Sequence, residues 1–175
     1  MIEGYDKYFP KKLYSITKNS KIMKLKKIAH VAIAVRDLDK ALKYFKDVFG
    51  LEPLNGKVYE SKDEKLLFTF LPIGDTFLEV MAPTDPTSYL AKFIEEKGEG
   101  LHHFVIAVDN IEECVDELKS KGVKLWSVTN VGETTPLFDK VCRGTSERGK
   151  PLKFTFLDPE STLGAIIELE EEVEE

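Results

Sequence analysis

The sequence predicts an α+β fold in which one β-α-β-β-β unit is used twice, and two internal echoes predict it. His30-Val31-Ala32-Ile33-Ala34-Val35, with Asp37 and a helical segment behind it, returns seventy-three residues later as His103-Phe104-Val105-Ile106-Ala107-Val108, with Asn110 and another helical segment. Phe68-Thr69-Phe70-Leu71 returns as Phe154-Thr155-Phe156-Leu157. Each copy of this second motif leads to an apolar segment holding one acid, Phe77-Leu78-Glu79-Val80 and Ile166-Ile167-Glu168-Leu169.

The first unit opens on Ile28–Val35, a short β-branched run that reads as a buried strand. Alternation puts His30, Ala32 and Ala34 on one face, so small residues flank the imidazole. Asp37 is the expected N-cap of a helix over Leu38–Phe49, whose apolar residues follow helical spacing, and Gly50 ends it. Lys57–Glu60 reads as a short strand and Lys62-Asp63-Glu64-Lys65 as a solvated turn. Leu66–Pro72 and Thr76–Met81 read as a hairpin across Ile73-Gly74-Asp75. Pro83–Ser88 is a connector, and Tyr89–Lys97 a short linking helix.

The second unit follows the same order. A strand over His102–Val108 leads through Asn110 to a helix over Ile111–Lys121 that Gly122 ends. His30 and Glu79 lie 49 residues apart, but His103 and Glu168 lie 65 apart. The excess falls in Thr129–Lys150, a polar stretch rich in turn residues and expected to be a long loop, of the kind that often covers a site. From Glu170 onward the chain is almost wholly acidic and reads as a solvated end. The expected organisation is therefore an N-terminal extension (1–27), one domain (28–170) with modules 28–83 and 101–170 joined by a linker (84–100), and an acidic tail (171–175).

The composition excludes several classes. A chain of 175 residues with 42% hydrophobic and 32% charged content can bury one medium core. A net charge of −6 opposes general nucleic-acid binding. No apolar run approaches a membrane span, and the start lacks the apolar core of a secretory signal. Two cysteines, Cys114 and Cys142, form no framework and fit reduced thiols in the cytoplasm.

Two His and two Glu at equivalent points of a duplicated unit point to a divalent-metal site on a pseudo-twofold axis. Buried carboxylates are costly unless paired or metal-bound. His30, Glu79, His103 and Glu168 together balance the charge of one divalent ion, and imidazole with carboxylate suits Co, Mn, Zn, Ni or Fe(II). His102 competes with His103. The register Ile33/Ile106, Ala34/Ala107 and Val35/Val108 selects His103.

These residues resemble the vicinal oxygen chelate (glyoxalase/dioxygenase) superfamily. The His30 strand with Asp37-Leu38 is similar to that family's first module. Leu71–Glu79, Gly98-Glu99-Gly100-Leu101-His102-His103, Val108–Ile111 and Ile166–Leu169 are most similar to its methylmalonyl-CoA epimerase branch, and the resemblance covers about Lys27–Glu170. It implies paired modules forming a cupped mixed sheet around one metal, with His30, Glu79, His103 and Glu168 as ligands. It also implies an isomerase that abstracts a proton alpha to a thioester carbonyl of an acyl-CoA substrate, with Glu79 and Glu168 as proton-transfer groups, working as a homodimer. Departures are specific. Several members carry an acid in the strand matching Leu66–Leu71, where this chain has apolar residues and Thr69. Glu79 replaces a frequent Gln, as in glyoxalase I. The Thr129–Lys150 loop replaces a short Gly-rich stretch, and Asp158-Pro159-Glu160 replaces His-Pro-Lys. A glyoxalase-I-like lactoylglutathione lyase and a non-catalytic binding protein of the same fold are the alternatives.

Overall fold

A computed structural model of the chain describes residues 23–173. The elements run β1 (Leu25–Ala34), α1 (Leu38–Phe49), β2 (Tyr59–Ser61), β3 (Leu66–Ile73), β4 (Thr76–Pro83), α2 (Tyr89–Lys97), β5 (Gly100–Val108), α3 (Ile111–Ser120), β6 (Cys142–Thr145), β7 (Pro151–Leu157) and β8 (Ile167–Glu172). The eight strands form one mixed sheet in the order β2-β3-β4-β1-β5-β8-β7-β6. The order reads as two mirrored sets of four joined through the antiparallel pair β1–β5. In each set the strand carrying the His lies parallel to the strand carrying the Glu, β1 beside β4 and β5 beside β8.

The register repeats with the topology. In the first half Ala32, two residues beyond His30, pairs with Glu79, and Glu79 pairs with Phe70. In the second, Val105, two residues beyond His103, pairs with Glu168, and Glu168 pairs with Phe156. The module helices begin alike. Asp37 and Asn110 are extended N-caps, and their side-chain oxygens accept from the amides of Lys40 and Glu113, each at 3.0 Å. Gly50 closes α1 in the left-handed region at φ 69°, as the sequence predicts for a C-terminal glycine.

Three apolar clusters set the shape. On one half α1 covers Leu71, Val80 and Ala82 through Leu38, with Ala41, Leu42 and Phe45 packed alongside. On the other, Ile111, Cys114 and Val115 of α3 meet Val108, Leu157 and Leu169. The residues of alternate parity point away from these helices. Ala32, Ala34, Met81 and Phe156 join Leu66, Tyr89, Leu90, Ile94 and Phe138 in the third cluster, with α2 as its cover. The curled sheet thus keeps aliphatic cores under α1 and α3 and leaves an aromatic concave side.

Several expectations need correction. β6 lies inside the stretch expected to be a loop and forms a hairpin with β7. Cys142-Arg143-Gly144-Thr145 has no apolar alternation, so nothing local announces it; its place is fixed by symmetry with β2. β1 begins at Leu25, inside the segment assigned to the extension, and residues 1–22 lie outside those described. Glu170, Glu171 and Glu172 belong to β8, and Glu170 is buried, so the acidic end is ordered sheet up to that point. Residues 174–175 lie outside the described part. Among the described residues no helix is long and apolar enough to cross a membrane, and Cys114 and Cys142 are free thiols.

Candidate active site and metal centre

The concave side holds a cavity of about 380 Å³. His30, Glu79, His103 and Glu168 all line it, and Phe68, Phe70, Met81, Tyr89, Phe154 and Phe156 form much of its apolar wall. Each of the four polar residues is buried. Their convergence follows from the register. β1 and β5 place their imidazoles side by side across the pseudo-axis, with ring centroids 6.0 Å apart, and the parallel neighbours β4 and β8 bring in the acids.

The distances define one polar knot. Glu79 Oε2 lies 3.5 Å from His30 Nε2 and 3.6 Å from His103 Nε2, and Glu168 Oε2 lies 3.2 Å from His103 Nε2. His30, Glu79 and His103 can each offer a ligand atom, all within 4.8 Å of one another. Glu168 adjoins this triad through His103. His103 Nε2 is fully buried and has no hydrogen-bond partner, which leaves that nitrogen facing the knot unsatisfied. Two imidazoles and two carboxylates with such an orphaned nitrogen fit a divalent ion of the borderline class.

His102 acts behind the knot. Its Nδ1 lies 2.8 Å from His103 Nδ1, and burial, with the neighbouring His103, holds its pKa well below the ordinary value. A neutral His102 that accepts from His103 Nδ1–H fixes the tautomer in which His103 Nε2 is free for a metal. His102 itself lies among the rings of Tyr89, Phe93 and Trp126. Both sequence candidates are therefore buried, and their parity assigns them different work.

Four further acids line the cavity: the exposed Glu60 of β2, and three that reach deeper into it. Glu64 projects from the β2–β3 turn, Glu147 from the β6–β7 turn, and Glu170 from β8, and all three line the cavity. Glu147 and Glu170 form a second grouping with His30, again within 4.8 Å. Glu170 was recoverable, because it stands two residues beyond Glu168 and so shares its face. Glu64 and Glu147 lie in charged turn sequences that look like ordinary surface.

Crowding so many acids shifts their titration. Burial pushes Glu168 up to about 8, with Glu79 adding to the rise against the opposing pull of His30. Burial also raises Glu64 to about 8 and Glu170 to about 7. On His30, burial opposes the charge but the Glu79 hydrogen bond and the surrounding carboxylates outweigh it, raising it to about 9. On His103, burial wins and the nearby His30 adds to it, lowering it to about 3.

A pH dependence of the metal-free protein follows. Groups raised on folding stabilise fully below their unfolded pKa and lose that contribution as pH climbs through the folded value. Glu64, Glu168, Glu170 and His30 all belong here. The depressed His102 and His103 act in the opposite sense, but only below about 6.5. Between pH 6.5 and about 9 the raised groups alone decide, so stability falls as pH rises. Urea unfolding in the presence of a chelator measures it, and a rise over that interval would contradict the account. Added divalent metal flattens the slope, because it takes the carboxylates ionised and the imidazoles neutral.

Known proteins carry the same architecture. The family model described as the Glyoxalase/Bleomycin resistance protein/Dioxygenase superfamily matches residues 29–136. The mitochondrial methylmalonyl-CoA epimerase of Mus musculus is 32% identical over 154 residues, covering 87% of this chain and 77% of that protein. The ethylmalonyl-CoA/methylmalonyl-CoA epimerase of Cereibacter sphaeroides is 29% identical over 146 residues, covering 83% of this chain and 97% of its own. The solved Streptomyces coelicolor methylmalonyl-CoA epimerase in complex with 2-nitronate-propionyl-CoA superposes with a TM-score of 0.71 at 25% identity, covering 86% of this chain and 96% of that one. With duplicated modules, a curled eight-stranded sheet and these matches along most of its length, the chain belongs to the glyoxalase/bleomycin resistance protein/dioxygenase superfamily.

Proposed function

We propose that this protein is a metal-dependent isomerase that abstracts the proton alpha to a thioester carbonyl, with methylmalonyl-CoA as its substrate. The observation that carries this is the pair of symmetry-related carboxylates, Glu79 and Glu168, beside two buried imidazoles in a cavity with a partly aromatic wall. Relatives named as methylmalonyl-CoA epimerases along most of the chain support the substrate.

His30, Glu79, His103 and Glu168 would hold one divalent ion, of Co, Mn, Zn, Ni or Fe. When bound, such an ion supplies Lewis-acid stabilisation of negative charge on a carbonyl oxygen, worth several kcal/mol. The chain's own groups do the rest. The aromatic wall excludes water from the α-carbon. A carboxylate takes the α-proton, and the C–H electron pair moves into the thioester carbonyl as an enolate. Return of a proton to the opposite face gives the other epimer. Glu168, whose Oε2 lies 3.2 Å from His103 Nε2 at the edge of the triad, fits one side of this exchange.

The test is entry of deuterium from D2O into the α-position of methylmalonyl-CoA, followed by NMR with divalent metal present. Exchange from both epimers, with interconversion, is expected; its absence with every metal of the set would remove this substrate. One observation favours a second reading. Glu79 is a carboxylate where many epimerases of the family carry Gln, which suits a glyoxalase-I-like lyase. Turnover of a hemithioacetal in preference to the acyl-CoA would decide for it.

The proposal extends to a cytoplasmic homodimer with one ion per chain. The short terminal strands β2 and β6 leave sheet edges that a partner could cover. Cys114 and Cys142, both free, suit a reducing compartment. Native mass spectrometry reads assembly and metal content together.

A further inference from the structure

Glu64 lines the same cavity as the metal knot yet belongs to neither of the His-carboxylate groupings there. The residue as a whole is half-buried. Its turn, between β2 and β3, is held from several directions. The Glu64 carbonyl accepts from Ser88 Oγ at 3.0 Å, the Asp63 carbonyl from Asn130 Nδ2 at 2.8 Å, and the Lys65 carbonyl from the Thr84 amide at 2.8 Å. Lys65 takes a left-handed backbone, φ 55°, and its ammonium reaches Thr87 Oγ1 at 2.8 Å and Glu133 Oε1 at 2.7 Å. A side chain in that backbone region is strained and persists only where its surroundings impose it. Here the anchors come from the linker before α2 and from the long segment before β6. A surface turn whose only task is to reverse the chain needs none of this. One that must hold a carboxyl steady over a cavity does.

We propose that Glu64 is the second proton-transfer group of this enzyme, serving the face of the α-carbon opposite Glu168. The proposal rests on the epimerase reading and replaces Glu79 in that role. Inversion needs two groups. One breaks the C–H bond and keeps the proton while the electron pair enters the carbonyl. The other delivers its own proton to the opposite face, forming the new C–H bond and ending as a carboxylate. Glu79 stands between two imidazole nitrogens at 3.5 and 3.6 Å, inside the His30–Glu79–His103 triad, whereas Glu168 touches that triad through His103 alone. Glu64 stands outside that knot and is free to hold or release a proton. It also lies immediately before β3, whose Leu66, Phe68 and Phe70 present no acid to the cavity.

The E64Q variant tests it, because amide for carboxyl preserves shape and hydrogen bonding. Its metal content is expected to equal that of the wild type, while interconversion of the two epimers falls by about 10²–10⁴-fold. Deuterium should still enter one epimer, through Glu168, and no longer enter the other. Interconversion within about threefold of wild type would overturn the assignment. So would loss of exchange from both epimers at unchanged metal content, and so would loss of the metal itself, which would put Glu64 in the ligand shell. If the wild-type protein exchanges neither epimer, the epimerase reading fails first, and that result is separate from all the others.

Discussion

With metal held at saturation, the E168Q variant loses proton exchange from one epimer, and with it interconversion of the two, by roughly 10²–10⁴-fold; it also loses most of its metal affinity and keeps its metal-free stability at neutral pH. The combination follows from where Glu168 sits. Its strand pairs it with Val105 on one side and Phe156 on the other, and its Oε2 is 3.2 Å from His103 Nε2. Gln keeps that shape and removes the anion. A divalent ion then has one carboxylate fewer, and the α-proton has no base on that side. Without metal the carboxyl is already protonated at neutral pH, since burial holds its pKa near 8, so the amide replaces a neutral acid of similar size. Isotope exchange, metal titration and thermal unfolding in chelator separate the three effects. Interconversion of the epimers within tenfold of wild type would remove Glu168 from the mechanism.

Stripping the metal produces the second large effect. A ligand that binds only the folded state stabilises it by about 4 kcal/mol at a thousand times its dissociation constant. For a domain of this size each kcal/mol moves the midpoint by about 2–4 °C, so saturating metal should raise Tm by roughly 8–16 °C over the chelated protein. The site gives the gain its cause. Glu168, whose charge burial disfavours in the metal-free protein, would gain a cationic partner, and the orphaned His103 Nε2 would gain an electron-pair acceptor. Activity should vanish with chelator and return with one of Co, Mn, Zn, Ni or Fe. Full exchange in protein shown to be metal-free would contradict the ligand assignment.

Much of this architecture was legible because duplication turns weak signals into strong ones. One His at the head of an apolar strand says little. His30 and His103 at matching points of two strands, each followed by a capped helix and later by a Glu, predict both the sheet order and the knot. Parity then separated His103 from His102, and the structure brings His103 to Glu79 and Glu168. The residues that escaped lie where sequence carries no periodicity. β6 is four residues paired on one side only, so its identity comes from β7 and not from its own composition. Glu64 sits among Lys62, Asp63 and Lys65, which resemble any solvated turn. Its enclosure depends on Ser88, Asn130 and Thr84, which approach from other parts of the chain.

The antiparallel join of β1 to β5 has a kinetic consequence. The proposed ligand set spans from His30 to Glu168, and no short loop closes it. Contacts so distant form late, after the entropy of bringing their segments together has been spent. Either half alone offers one imidazole and one carboxylate, too few to hold an ion firmly. The metal therefore cannot act as a seed around which the first module gathers. With the proposed ligand set, an ion would bind only to a cup already built, and its occupancy would report that both halves have docked.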